Sequence, residues 1–347
     1  MASSTRFMKS FADLLIAWHA KSGRHHLPWQ QSKDPYSVWV SEIMLQQTQV
    51  TTVIDYYNRF MKKFPTIKAL ANADEEEVMQ LWSGLGYYRR ARFLHEGAQM
   101  IVGEMEGNFP SEFDMMMKIP GIGRSTAGAI AAFSFNQKKA ILDGNVKRVL
   151  SRYFLISEWT GLPQTEKKLW NYAESLLPNK NIDTYTQALM DLGATLCNKK
   201  PQCNLCPLKK TCLAFQKGKV HLIPTPRAQK KIPTESTHMI IIKHHDEILL
   251  VKRPQSGIWG GLWSLPQHEN TSITPKTWIK KHFGLETSLL KKDLKASTTF
   301  THFKLDITYS ILEAKSQRSK IPHTWLSLNH IEGAAIPSII KKILLKI

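Results

Sequence analysis

The sequence predicts a multidomain chain in which an all-α domain precedes an α+β domain. Three observations predict this division. The length of 347 residues exceeds that of one ordinary core. Apolar residues recur at helical spacing as far as residue 216, punctuated by proline, glycine and asparagine. Beyond 218–236, a proline-rich and basic stretch with the composition of a linker, the pattern changes to short alternating strands.

The charge of the chain favours a polyanionic partner. Lysine and arginine number 47 against 28 aspartate and glutamate residues, which gives a formal net charge of +19. Nucleic acid is the first candidate, and a basic protein without such a partner is the alternative. No stretch approaches the ~20 apolar residues that span a bilayer. Asp13 and His19 interrupt any secretory signal, so we expect a cytoplasmic protein without a membrane partner.

The helical part contains a carboxylate in an apolar setting. Glu42 follows the apolar run 38–40 and precedes the apolar run 43–45. Burial among these residues would disfavour the charged form and raise the pKa, as a general acid requires. A solvated residue on an exposed helix face is the alternative interpretation.

A glycine turn indicates a helix-hairpin-helix motif. Within 119–133, Gly121 and Gly123 permit a tight turn, and the amides at the start of the next helix can bind a phosphate. The upstream segment 81–92 has two adjacent tyrosines beside arginines, which suits insertion into a base stack and contact with its phosphates. An ordinary helix–helix turn with core tyrosines is the alternative.

A second carboxylate lies where an apolar run meets the start of a helix. Asp143 is expected to be ionised there, because the positive end of a helix favours an anion. Together with a protonated Glu42 it would form the pair that glycosidic cleavage needs, one donating a proton and one stabilising a sugar cation. An ordinary N-cap is the alternative.

The cysteines form one cluster with the spacing Cys197-x5-Cys203-x2-Cys206-x5-Cys212. Such clustering favours a bound metal over disulfides that connect distant loops. Four thiolates so close in sequence can hold an iron–sulfur cluster. Zinc is the alternative, although structural zinc sites more often pair two C-x2-C segments.

The C-terminal part predicts strands. Residues 238–253 are expected to form two short strands around a polar turn at His244 to Glu247, and residues 300–314 alternate like another strand. The second domain is therefore expected to be α+β.

Taken together, these residues resemble the MutY family of adenine DNA glycosylases over nearly the whole chain. The matching blocks are LPWQ (27–30), VSEIMLQQTQV (40–50), GLGYYRRAR (84–92), PGIGRSTAG (120–128), LDGNVKRVLSR (142–152), ALMDLG (188–193) and the cysteine run. The resemblance implies a helix-hairpin-helix glycosylase domain with an iron–sulfur loop, followed by a Nudix-like domain. It also implies a substrate, adenine mispaired with 8-oxoguanine or guanine, which is flipped out of the duplex.

The resemblance further implies the roles of individual residues. Glu42 would protonate the adenine ring, and Asp143, with Asn145 beside it, would stabilise the sugar cation or bond to it. The other residues are Trp29, Gln30 and Gln187 in the adenine pocket, Gln47 and Tyr87 in the space left by the flipped base, Gly121, Gly123, Arg124 and Lys147 on the DNA backbone, and Phe300, Thr301 and His302 in a loop that contacts 8-oxoguanine.

The chain departs from related patterns at four places. In the endonuclease III branch a lysine at the place of Ser125 attacks the sugar, whereas a serine cannot form that Schiff base, so we expect no strand cleavage. Lys281 and His282 replace two metal-binding glutamates of a working Nudix box, so pyrophosphate hydrolysis is not expected. Thr301 replaces the usual serine. Five residues separate the first two cysteines where the family usually has six, and this shorter loop can still close on one centre.

The resulting expectations are a glycosylase domain over 1–217 with its iron–sulfur loop at 197–212, a linker over 218–236, and a Nudix-like domain over 237–347 that recognises the opposite 8-oxoguanine. We expect one 4Fe-4S cluster per chain, no nucleotide cofactor, and a monomer that binds double-stranded DNA. The protein would be bacterial and cytoplasmic, and associated with the nucleoid when bound to DNA. The alternatives are an endonuclease III-like glycosylase–lyase, a Nudix hydrolase, and a catalytically silent protein that binds DNA lesions.

Overall fold

The computed structural model describes residues 10–227, 232–268, 272–319 and 322–347. The chain divides into two compact units, one of Met1–Asn72 with Phe93–Gln229 and the other of Ala73–Arg92 with Lys230–Ile347. The short segment Ala73–Arg92 therefore groups with the C-terminal part, which its position in the sequence does not suggest. The expected linker over 218–236 lies partly, at 228–231, outside the described residues, and the expected domain limits remain predictions.

The first unit is built from helices, and the second unit adds helices to a sheet. The helices of the described residues are α1 (Phe11–Ser22), α2 (Pro35–Leu45), α3 (Val50–Lys63), α4 (Ile67–Ala71), α5 (Glu75–Trp82), α6 (Arg89–Glu104), α7 (Phe113–Met116), α8 (Arg124–Phe135), α9 (Gly144–Tyr153), α10 (Pro163–Ser175), α11 (Ile182–Thr195), α12 (Leu213–Gln216), α13 (Pro275–Phe283) and α14 (Ser338–Leu344). In the part of the chain with described helices, none is long and apolar enough to cross a membrane.

Local sequence explains where several helices begin. Ser10 and Asp13 form a reciprocal capping box at the start of α1. Asp34 accepts a hydrogen bond from the Ser37 amide and precedes Pro35, which suits the first position of α2. The apolar faces of α1 and of α8 to α11 then meet in one core, whose fully buried members include Leu15, Leu150, Leu169, Leu189 and Leu192. This core fixes α8, α9 and α11, and α2, which carries Glu42, packs against α8.

The second unit contains a mixed sheet. Its strands are β1 (Thr234–His244), β2 (Glu247–Lys252), β3 (Trp263–Ser264), β4 (Thr287–Thr299), β5 (Lys304–Ala314) and β6 (Thr324–Ser327). Their order is β3-β2-β1-β5-β4, with β6 paired to β2; β1 and β5 are parallel and the other pairs are antiparallel.

The central strand β1 is buried on both faces. Met239 and Ile241 join a core that includes α14, whereas Ile240 and Ile242 join a core that includes α13. The continuous apolar run in this strand is explained by these two layers.

The predicted strands are confirmed with one difference in extent, and three further strands, β3, β4 and β6, were not predicted. The first two strands pair with His244 opposite Glu247, as expected. The strand expected from residue 300 begins at Lys304, because residues 300–303 form the turn that follows β4. Strand β4 was not predicted, since its exposed residues include Lys291 and Asp293 and its pairing is interrupted by register shifts. An edge strand of this kind lacks clear alternation.

Candidate active site

A cavity of about 340 Å³ lies within the first unit, in the size range of small-molecule sites, roughly 300–1,000 Å³. Four residues expected at the site line it together: Trp29, Gln30, Glu42 and Gln187. Trp29 and Gln30 belong to a short 3-10 helix, Glu42 to the middle of α2, and Gln187 to α11. The helical core therefore brings together residues that are up to 158 positions apart in the sequence (29 to 187).

Glu42 is held in the protonated form by its surroundings. Burial, followed by the nearby Asp143 carboxylate, raises the pKa of Glu42 to about 8. Within the described residues, no hydrogen-bond donor contacts the Glu42 carboxylate to offset this burial. A carboxyl group in such a setting is a proton donor at neutral pH.

Asp143 is the N-cap of α9 and lies close to Glu42. Its side chain accepts a hydrogen bond of 2.7 Å from the Val146 amide and one of 3.4 Å from the Asn145 side chain. The sequence predicts that the helix end keeps Asp143 ionised, which would lower its pKa. The predicted direction is wrong, because burial raises the pKa of this carboxyl above its usual value. The donors and Arg148 oppose that effect, and Glu42 has no such donors. We therefore place the proton of the coupled pair on Glu42.

Arg148 fixes the start of α9. Its guanidinium donates to the Asn145 side chain at 2.7 Å, to the Gly193 carbonyl at 2.6 Å and to the Cys197 carbonyl at 2.7 Å. A Cβ on Gly193 would lie 2.7 Å from the Asn145 Cβ, so only glycine permits this approach of α11 to α9. Asn145 is therefore held in place by the Arg148 guanidinium and by the close approach of Gly193.

A buried ionic network at the cavity was not predicted. Asp191 is fully buried and accepts hydrogen bonds from Arg24, at 2.6–2.8 Å, and from Gln187, at 2.9 Å. Burial opposes ionisation of Asp191, but hydrogen bonds from His19 and Arg24 hold its pKa below the usual value. His19, Arg24 and Gln187 all line the cavity. An aspartate on a helix among apolar residues was the available signal for this network.

Gln30 has a structural use at the cavity wall. Its amide donates to the Arg24 carbonyl at 2.9 Å, and its oxygen accepts from the Leu27 amide at 3.2 Å. Trp29 is buried, with its ring edge-on to Tyr57 at 5.4 Å between centroids. Both residues thus form a rigid wall for the cavity.

The glycine turn has the expected form. Gly121 has φ +80°, and a Cβ there would lie 2.9 Å from the Phe93 Cβ. Gly123 is the N-cap of α8, and a Cβ there would meet nothing within 4 Å. The amides at the start of α8 are therefore open to an approaching anion. In this structure Arg124 pairs with Glu174, and Lys147 pairs with Glu166 at 2.7 Å. The Arg124 pair is exposed and the Lys147 pair is half-buried. An exposed pair is weak and can be exchanged for phosphate contacts.

The two residues expected to probe the space of the flipped base share an uncommon backbone conformation. Gln47 has φ +57° and Tyr87 has φ +49°, both in the left-handed region. Both side chains are exposed, and 49% of Tyr87 is accessible to solvent. The Arg90 guanidinium lies over the Tyr87 and Trp82 rings. Non-glycine residues in this region are strained, and such strain concentrates at functional positions.

The Ser125 side chain is held by a backbone hydrogen bond. Its hydroxyl accepts a hydrogen bond of 3.0 Å from the Leu142 amide. The residue thereby connects α8 to the segment that leads into Asp143, which is a positioning contact.

The four cysteines line one small cavity. All are half-buried and unbridged, and the same cavity contacts Arg152 and Lys209. Burial, together with the neighbouring thiolates, raises the pKa of Cys206 to about 12. The Arg152 guanidinium donates to the Cys197 sulfur at 3.4 Å. Among the described residues, no three His, Cys, Asp or Glu side chains come together as a site for a single metal ion.

The second unit presents a short exposed loop between β4 and β5. Thr301 and His302 are exposed, and the Thr301 hydroxyl lies 3.4 Å from the His302 Nδ1. Phe300 stacks on Phe303 at 4.8 Å and anchors the loop. On α13, Lys281 and His282 are exposed in the last turn. That turn is basic, unlike a glutamate cluster that binds magnesium.

Comparisons with known proteins agree with this division. Residues 40–175 match the HhH-GPD superfamily of base excision DNA repair proteins, and residues 237–346 match the NUDIX domain. An adenine DNA glycosylase of Buchnera aphidicola from Acyrthosiphon pisum is 39% identical over 96% of each chain. The adenine DNA glycosylase of Homo sapiens is 33% identical over 96% of this chain and 73% of its own.

Solved structures resemble the helical part. A thermostable thymine-DNA glycosylase is 29% identical and superposes with a TM-score of 0.55 over 60% of this chain and 95% of its own. A non-covalent endonuclease III–DNA complex superposes with a TM-score of 0.52 at 21% identity over 60% of this chain and 94% of its own. The predicted architecture, a helix-hairpin-helix glycosylase fold followed by a Nudix-like α+β fold, is confirmed.

Proposed function

We propose, for a chain that belongs to the adenine DNA glycosylase (MutY) family of base excision repair enzymes, that its substrate is adenine opposite 8-oxoguanine or guanine. The enzyme flips this adenine into the cavity of the first unit, hydrolyses its glycosidic bond and leaves the strand uncut. The observation that carries the proposal is the position of Glu42 on the cavity wall, where burial and the nearby Asp143 carboxylate raise its pKa to about 8.

The two carboxyl groups divide the chemistry. Glu42 donates its proton to a ring nitrogen of the adenine, which makes the base a better leaving group. The sugar then develops positive charge, and the carboxylate of Asp143 stabilises this cation or bonds to it. Asn145, held by Arg148, keeps that carboxylate in place. Water completes the hydrolysis.

The cavity wall provides the site for the flipped base. Trp29 offers an apolar surface, and Gln187 and Arg24 are held by the buried Asp191 carboxylate. A rigid wall of this kind selects a planar base without reorganising its polar groups. Tyr87 and Gln47 have exposed side chains and strained backbones. Their side chains fill the space that the base leaves in the duplex.

The second unit recognises the opposite base. The exposed hydroxyl of Thr301 and the imidazole of His302 supply hydrogen-bonding groups to the edge of 8-oxoguanine. The basic last turn of α13 argues against a hydrolytic role for this unit, since it offers cations in place of metal-binding carboxylates.

Ser125 supports base removal without strand cleavage. Strand cleavage by Schiff-base chemistry needs an amine at the sugar, and the Ser125 hydroxyl accepts a hydrogen bond from the backbone. We therefore expect an intact strand with an abasic site as the product.

The four cysteines suit a 4Fe-4S cluster. They line a common cavity, and their mutual repulsion as thiolates calls for a cationic centre between them. Cys197, Cys203, Cys206 and Cys212 would hold the cluster, which supplies a structural staple for this loop. Arg152, with hydrogen bonds to the Cys197 carbonyl and to the carbonyls of Val220 and Ile223, ties the loop to α9.

Loss of one cysteine ligand tests this assignment. We expect Cys203→Ser to lower the iron content of the purified protein and to destabilise it by about 2–5 kcal/mol, as loss of a structural centre does. Iron and sulfide analysis, visible absorbance and thermal unfolding provide the measurements. The control is Ser175→Ala, which removes one exposed hydroxyl from the end of α10. Unchanged iron and stability in Cys203→Ser would contradict the assignment.

The pH dependence of excision tests the role of Glu42. Since the pKa of Glu42 is about 8, the single-turnover rate is expected to fall about tenfold per pH unit above that value, because the donor loses its proton. On the acid side the rate is expected to fall as Asp143 gains a proton, at a pH above the range of an ordinary aspartate. A rate that still rises above pH 8 would show that Glu42 does not act as the acid.

A panel of duplexes tests the substrate. Duplexes with adenine opposite 8-oxoguanine, guanine or thymine are incubated with excess enzyme and analysed with and without alkali. We expect alkali-dependent breaks at adenine opposite 8-oxoguanine and guanine, and little product opposite thymine. Breaks that appear without alkali would indicate a lyase, and equal product from all three duplexes would contradict recognition of the opposite base.

A further inference from the structure

We infer that residues 255–263, termed here the bridging loop, couple recognition of the opposite base to insertion of Tyr87 into the duplex, with Arg92 as the positioning residue. The inference rests on the proposed function, because it assigns Tyr87 and the loop 300–302 the roles given above. All of the residues concerned belong to the second unit.

Arg92 joins the bridging loop to the segment that carries Tyr87. Its guanidinium donates to the Gly260 carbonyl at 2.7 Å and to the Gln255 carbonyl at 3.0 Å, and its Nε donates to Glu75 at 3.2 Å. All three acceptors lie around one planar group, and 16% of the Arg92 side chain is exposed. Lysine lacks the planar fork that satisfies such a set.

The bridging loop is shaped to receive this arginine. Gly261 has φ +74°, and a Cβ there would lie 2.5 Å from the Arg92 Nη2. Gly260 is equally close to its own loop, since a Cβ there would lie 2.4 Å from the Gln255 carbonyl oxygen. The adjacent glycines in the sequence GIWGGLW (257–263) therefore allow the loop to pack closely against the Arg92 guanidinium.

The first turn of α6 connects Arg92 to the segment that carries Tyr87. Tyr87 and Tyr88 lie immediately before α6, and the amides of Arg90 and Arg92 donate to their carbonyls at 2.9 and 3.2 Å. Two further hydrogen bonds hold the same segment, from the Trp263 indole to Glu76 at 2.9 Å and from the Ser83 hydroxyl to the Ala334 carbonyl at 3.0 Å. The strained backbone of Tyr87 is thus supported from the C-terminal part of the chain.

The other side of the bridging loop contacts the loop expected to recognise the opposite base. Trp259 has φ +58°, a strained conformation for a large side chain. Its ring lies 5.8 Å from that of Phe300, the residue that precedes the exposed Thr301 and His302. A shift of the loop 300–302 would therefore move the Phe300 and Trp259 rings, and with them the carbonyls that accept hydrogen bonds from Arg92.

The test compares excision of adenine opposite 8-oxoguanine with excision opposite guanine. We expect Arg92→Lys to lower the ratio of the two single-turnover rates about fivefold, within the range that contacting residues show. In a Thr301→Ala background the same change should have no further effect, because recognition no longer reaches the loop. Arg318→Lys, at an exposed position of the second unit outside the segment that carries Tyr87, is the matched control and should leave the ratio unchanged.

Several results would overturn the inference. If Arg92→Lys lowers the rates opposite 8-oxoguanine and opposite guanine by the same factor, the substitution has only reduced the amount of folded enzyme. If the effects of Arg92→Lys and Thr301→Ala on the ratio add in the double variant, the two residues act independently. A second measurement uses 2-aminopurine beside the mismatch, with 8-oxoguanine or guanine opposite, to report unstacking on binding. The wild type should unstack more strongly opposite 8-oxoguanine, and Arg92→Lys should remove that difference. If the wild type excises no adenine, the proposed function fails, and this fluorescence difference still decides the coupling.

Discussion

Glu42→Gln is expected to reduce the single-turnover rate of adenine excision by about 10³-fold, within the range that general acids contribute. Glutamine keeps the size and the hydrogen-bonding shape of the side chain but has no proton of suitable pKa to transfer. Binding of the mismatched duplex should change little, because the substitution leaves the cavity wall in place. The rate is measured with excess enzyme, and the affinity by titration of a labelled duplex.

The stability of the Glu42→Gln variant separates chemistry from folding. The folded-state pKa of Glu42, about 8, lies above its ordinary value of 4.5. The folded protein therefore holds a proton that the unfolded chain releases between these values, and stability is lost as the pH rises through this window. We expect the variant to be more stable than the wild type at pH 8, by about 1–3 kcal/mol, and to differ little at pH 4.

The control for this prediction is Glu104→Gln, the same change at an exposed position on α6. It should leave both the rate and the stability unchanged. A Glu42→Gln variant that excises adenine within tenfold of the wild-type rate would exclude Glu42 as the acid. A variant that loses activity and stability together at pH 8 would indicate a structural role.

Asp143→Asn is expected to reduce excision by about 10²–10³-fold, as loss of an electrostatic stabiliser of the transition state does. Asparagine is also a good N-cap, so its oxygen can accept the hydrogen bond from Val146 and preserve the start of α9. What is lost is the negative charge that faces the sugar cation. The measurements are the single-turnover rate, the affinity for the duplex and the thermal unfolding temperature.

A second N-cap aspartate provides the matched control for Asp143→Asn. Asp34 caps α2 through the Ser37 amide at 2.8 Å and does not line the cavity among the described residues. Asp34→Asn should therefore keep full activity. If both variants lose activity equally, the effect belongs to helix capping. If Asp143→Asn keeps near-normal activity, the assigned role of its charge is wrong.

Features that depend on neighbours in the sequence were predictable. The apolar residues around Glu42 indicated a raised pKa, and burial in the structure raises it. The N-cap at Asp143, given as the alternative to a catalytic role, is present as well. Glycine at 121 indicated a turn that only a positive φ permits, and the turn has that conformation. In each case the physical cause acts within a few residues.

Features that depend on packing were not predictable. Arg24 and Asp191 are 167 positions apart, and only the approach of α11 to the loop after α1 brings them together at the cavity. The direction in which the pKa of Asp143 shifts also depends on burial, which outweighs the lowering effect of the hydrogen bonds at the start of α9. The grouping of Ala73–Arg92 with the C-terminal part likewise arises from contacts such as Arg92 to Gly260.

The most direct test of the account is detection of the free base released by the wild-type protein. A duplex with adenine opposite 8-oxoguanine is incubated with excess enzyme, and the released base is identified by mass spectrometry while binding is measured on the same duplex. We predict stoichiometric release of adenine from the wild type and none above background from Glu42→Gln, with both proteins bound. A wild-type protein that binds the duplex and releases no adenine would contradict the account.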